Sequence, residues 1–136
     1  MPWFGFIHPL AALLTFVYGL RIGQVSLSKL ADWDFPLRRI RTRSLRFFLF
    51  TVANLVLGLF FTAILAGQGR SVRLPGHRFL GIAVVVASLA AVFATFGKSR
   101  PGQLPKTMRW HPIATVISLA LILTMGFLGL LTMVKL

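Results

Sequence analysis

Cysteine is absent from the 136-residue sequence. Disulfides, iron–sulfur ligation and thiolate metal sites are therefore excluded. Acidic residues are almost as scarce: Asp32 and Asp34 are the two carboxylates, against 15 Lys and Arg. No clustered carboxylate pair, phosphate-binding loop or Ser-His-Asp set is visible, so hydrolytic and group-transfer chemistry have no candidate residues. Charged residues make up 12% of the chain, where a soluble domain carries about 25%. Within the apolar runs there is neither a carboxylate nor a lysine. A carboxylate relay of the kind used by proton pumps and ion-coupled transporters is not expected.

What the chain has instead is apolar sequence, 57% of its residues. Four runs stand out: Trp3 to Leu20 with a continuation toward Leu27, Phe47 to Ala66, Phe79 to Phe96, and Pro112 to Val134. Each is long enough to cross a hydrocarbon core of roughly 30 Å at about 1.5 Å per residue. Pro9 and Pro112 fall where first helical turns are expected, and a missing N–H is harmless there. The N-terminal MPWFGFIHPL has no basic segment and no small-residue cleavage site, so it reads as the first span rather than a cleaved leader. The expected fold is all-α: one integral membrane domain over 1–136, an antiparallel four-helix bundle with spans at about 3–24, 45–66, 77–97 and 111–134.

The net charge of +13 sits in the gaps between runs. That placement points to anionic lipid and membrane orientation rather than nucleic acid. The loops at about 21–46 and 98–110 share one side with their flanks. They hold Arg21, Lys29, Arg38, Arg39, Arg41, Arg43, Arg46, Lys98, Arg100, Lys106 and Arg109, against Arg70, Arg73, Arg78 and Lys135 opposite. The positive-inside rule then places both termini outside the cytoplasm, in a bacterial inner or thylakoid membrane. The run RRIRTRSLR reads as an orientation signal beside anionic lipid, as an amphipathic surface helix or as a partner-docking patch. Asp32 and Asp34, flanking Trp33, are expected to pair with nearby arginines.

Small and polar residues recur at helical spacing. Thr51, Asn54, Gly58 and Thr62 share a face of span two, and His111, Thr115, Ser118, Ile122, Met125 or Gly126, and Gly129 share one of span four. Helix packing explains both faces. In span three Gly81, Val84, Ser88, Ala91 and Thr95 form a stripe with His77 one turn before it. Such a stripe leaves room for a neighbouring helix or a flat cofactor.

Each of the three histidines opens a span: His8 in IHP, His77 in PGH, His111 in WHP. Alternating span direction puts His8 and His77 on the outer side and His111 on the other. A histidine near a membrane interface needs no ligand role. Two imidazoles from facing helices are also what a six-coordinate b-type haem requires, and a single one, such as His111, can hold the magnesium of a chlorophyll. Gly81 and Ala12, each four residues after a histidine, are small enough to admit a porphyrin edge. Arg73 and Arg78 could contact its propionates.

The His-Pro of span one, His77-Arg-Phe-Leu-Gly81 opening span three and Arg109-x-His111 opening span four resemble a family of small four-helix membrane proteins common in cyanobacteria. That family has no assigned function and is grouped with the cytochrome b561 superfamily. The family pattern also implies a histidine opening span two, facing that of span four; here the stretch reads RTRSLRFFLF. The resemblance therefore implies at most one bis-histidine haem, held by His8 and His77. The functional expectation is a non-enzymatic subunit of a larger respiratory or photosynthetic membrane complex, in contact with lipid and other membrane subunits. The alternatives are a free-standing b-type electron carrier and a chlorophyll-binding subunit. Loss of any cofactor is a further possibility.

Overall fold

The computed structural model describes residues 6–29, 36–69, 76–98 and 103–134, with side chains 29 and 130–134 excepted. Helix α1 spans Ile7–Lys29, α2 Leu37–Gly67, α3 His77–Ala94 and α4 Trp110–Val134, the last preceded by a 3-10 turn at Lys106–Arg109. All four are long and apolar enough to cross a membrane, and no strand occurs among the described residues. The protein is an all-α four-helix bundle. Asp32, Trp33 and Asp34 lie outside the described residues, as does Arg73.

Helices α1 and α3 each pack against both α2 and α4, so the bundle is a square in chain order with α1 and α3 on one diagonal. Side-chain pairs show that neighbours run antiparallel. Thr51 meets Ser88 while Arg41 reaches the Thr95 carbonyl. Likewise Ser26 meets His111 while Gly19 faces Leu119. One end of the bundle gathers the basic segments around 36–46 and 103–109. The other holds the starts of α1 and α3 and is called here the histidine-pair end.

Helix starts and stops follow local chemistry. Pro36 precedes α2, where its fixed φ and absent N–H suit a helix entry. Gly76 precedes α3 at φ 85°, a left-handed conformation open to glycine. The end of α3 is knitted to its neighbours: Thr107 Oγ1 donates to the Ala94 carbonyl at 2.9 Å and Arg41 Nη2 to the Thr95 carbonyl at 2.8 Å. These bonds satisfy carbonyls that a helix end leaves unpaired. The Arg41 guanidinium also lies 4.2 Å from the Phe96 ring centre, a cation–π contact.

Helix α2 departs from expectation. It begins at Leu37, not near 45, and α1 continues to Lys29. The basic run is thus neither a loop nor a separate surface helix but the first turns of α2. Arginine is a good helix former. More decisively, Ile40, Ser44, Phe47 and Thr51 are all buried. They continue the inward face of the span at helical spacing, while Arg38, Arg39 and Arg46 point outward. At about 1.5 Å per residue the helix is roughly 46 Å long, more than the roughly 30 Å hydrocarbon core, so its basic turns reach past the apolar layer. The third connection contains the 3-10 turn Lys106–Arg109.

Packing is closest toward the basic end. Ile22, Phe47 and Leu119 form a buried cluster with Phe16, Tyr18 and Ile122 against it. Gly19 makes this possible: a Cβ there would fall 2.6 Å from Phe47 Cε2 and 2.8 Å from Leu119 Cδ2. Toward the other end of α4, a Cβ at Gly126 or Gly129 would meet nothing within 4 Å.

Candidate functional site

The first turns of α1 and α3 bring His8 and His77 together across the bundle diagonal. Their ring centres are 6.3 Å apart with planes at 72°. The Nδ1 atom of each is buried and has no hydrogen-bond partner. Unpaired buried polar atoms are uncommon and call for an explanation such as a water or an ion. Gly58 of α2 lies against the His8 ring, where an added Cβ would stand 3.1 Å from Cε1 and 3.3 Å from Nε2. The absence of a side chain at 58 therefore lets the imidazole sit between α1 and α2. Arg78 is exposed beside His77.

The stripe on α3 is buried from Gly81 through Thr95. It admits neighbouring helices. A Cβ at Gly81 would lie 3.0 Å from Leu55 Cδ1 and 3.7 Å from Met125 Cε, so side chains of α2 and α4 fill the space one turn below His77. Thr51 and Ser88 share a hydrogen bond at 2.8 Å. On the other side of α2, Asn54 Nδ2 donates to Thr15 Oγ1 at 2.6 Å. The polar face of span two is thereby divided between α3 and α1, as helix packing requires.

His111 has a different environment. It is fully buried at the basic end, and both ring nitrogens have partners. Ser26 Oγ of α1 is 2.8 Å from Nδ1 and Ser44 Oγ of α2 is 2.7 Å from Nε2. The Ser44 hydroxyl donates to the Ile40 carbonyl at 2.8 Å. A hydroxyl has one proton, so Ser44 accepts from His111 Nε2–H; in the neutral imidazole Nδ1 then accepts from the Ser26 hydroxyl. His111 thereby ties α1, α2 and α4 together. Ser44 belongs to RTRSLRFFLF, the stretch from which the resemblance would have brought a histidine.

Sequence reading singled out the three histidines and missed Ser26 and Ser44. Serines spaced along apolar helices were a signal of packing, but nothing in their spacing says which meets a histidine. No protein-family model, curated protein or solved structure matches this chain.

The haem implied by the resemblance can be tested against these residues. The donor set fits: two imidazoles from diagonal helices, each with an unpaired buried nitrogen, beside a glycine. Beneath them the methyl ends of Leu55 and Met125 occupy the space a porphyrin edge would take. Both are side-chain ends, so a porphyrin edge there would require them to change rotamer.

Proposed function

We propose that this chain is a non-enzymatic subunit of a larger membrane complex, respiratory or photosynthetic, and that it holds one b-type haem between His8 and His77. The observation that carries this reading is the contrast between histidines. His111 is saturated by two serines, whereas His8 and His77 face each other across the bundle with buried, unpaired nitrogens. Unpaired nitrogen is what a metal ligand needs. Haem bound there would supply one-electron transfer, and the protein would supply two imidazoles and an apolar surround. His8 and His77 would hold it in this proposal. Arg78, exposed one residue from His77, is a candidate to pair with a propionate; Arg73 is a second candidate.

Membership in a larger assembly draws support from α4. Gly126 is exposed next to exposed Leu123 and Phe127, and small residues on a lipid-facing helix allow a neighbouring helix to approach closely. With both His111 nitrogens engaged, a chlorophyll on that residue has less support than haem on the pair. The test is a reduced-minus-oxidised optical spectrum of protein purified from its native membrane. A low-spin b-type spectrum co-purifying with further subunits is expected. A pigment-free protein, or chlorophyll bands without haem, would overturn the proposal.

A further inference from the structure

Among the described residues no side chain carries a carboxylate, and in the whole chain two aspartates stand against 15 Lys and Arg. Most basic side chains therefore have no acidic partner within the protein. Arg41 is engaged with the Thr95 carbonyl and Phe96. Arg109 is different. Its guanidinium lies 5.3 Å from the centre of the Trp110 ring. Together with Ile113 these two side chains line a shallow open groove on the outside of α4. Lys106, three residues before Arg109, is exposed as well.

The face below the groove is apolar and open. Ile113, Val116 and Ile117 are each about half exposed, and they follow Lys106 and Arg109–Trp110 at helical spacing. Arg109 thus lies beside an indole, exposed Lys106 precedes it by one 3-10 turn, and an aliphatic ridge runs along α4 from the indole. A phosphodiester suits the cations, since an arginine fork matches its oxygens. Tryptophan suits the headgroup level, and the ridge suits an acyl chain. We infer that Lys106, Arg109, Trp110 and Ile113 form a binding site for one anionic phospholipid. This differs from diffuse attraction between a basic surface and a charged bilayer, because it assigns the preference to these positions and not to Arg38 and Arg39, which are equally exposed on α2.

The experiment reads Trp110 fluorescence in full-length protein with Trp3 and Trp33 replaced by Phe, reconstituted in vesicles containing brominated phosphatidylglycerol or brominated phosphatidylcholine. Brominated phosphatidylglycerol should quench at a bilayer fraction about fivefold lower than phosphatidylcholine, the scale of one basic residue acting at a membrane surface. Lys106→Gln with Arg109→Gln should abolish that preference, while Arg38→Gln with Arg39→Gln, which removes the same charge, should keep it. Equal loss in both double variants would show diffuse attraction and overturn the site, as would equal quenching by the two lipids in the unsubstituted basic background. Millimolar glycerol 3-phosphate should leave the preference intact. If it abolishes the preference, the groove takes free phosphate compounds and the lipid assignment fails.

Discussion

At the scale of single residues, the three histidines differ in what satisfies them. Ser26 and Ser44 hold both nitrogens of His111 inside the bundle. Removing the Ser44 hydroxyl leaves a buried N–H without an acceptor, which costs about 1–3 kcal/mol. Ser44→Ala should lower unfolding stability in detergent by that amount. Ser28→Ala, at an exposed position, should stay within about 0.5 kcal/mol. Equal stability of the two variants would show that the His111 bonds contribute nothing. The sequence made the histidines conspicuous because each opens a span. It concealed their environments, because hydrogen-bond partners 85 and 67 residues away depend on which helices become neighbours. What lies beside the stripe below His77 was hidden for the same reason. Gly81 was visible as a small residue, but Leu55 and Met125, which fill the space beside it, come from two other helices.

At the scale of elements, apolar run length was sufficient to find four helices, because a bilayer core demands about 20 apolar residues and leaves few alternatives. It was not sufficient to bound α2. Charge marked 38–46 as outside the membrane, and a loop was inferred where the helix continues. The informative signal was the spacing of Ile40, Ser44, Phe47 and Thr51, one face carried unbroken through the charged turns. Ile40 is fully buried, so Ile40→Ala should destabilise by about 2–5 kcal/mol. Arg39→Ala, on the exposed face, should change stability by less than about 0.5 kcal/mol. Denaturation of both variants checks this: an Ile40→Ala protein as stable as its parent would mean that the basic turns do not pack on the bundle.

At the scale of the whole molecule, the two histidine arrangements occupy opposite ends and opposite diagonals. His8 and His77 join α1 to α3, while His111 and Ser44 join α4 to α2. The basic end is closely packed around its polar bonds. The histidine-pair end keeps unpaired nitrogens and open glycines on α4. This asymmetry matches the division of basic residues, and the positive-inside rule predicts that both termini are non-cytoplasmic. Reporter enzymes fused to each terminus should be active only as periplasmic or lumenal reporters; cytoplasmic activity at either terminus would reverse the orientation. The same asymmetry separates a structural histidine from a pair available to a ligand, and the haem proposal rests on that separation. Its most direct test is a reduced-minus-oxidised spectrum recorded side by side on His8→Ala, His77→Ala and His111→Ala proteins. The low-spin b-type signal per mole of folded protein should vanish in the first two and persist in the third, with His111→Ala losing stability instead. If His111→Ala removes the signal while His8→Ala spares it, the pairing of His8 with His77 is contradicted.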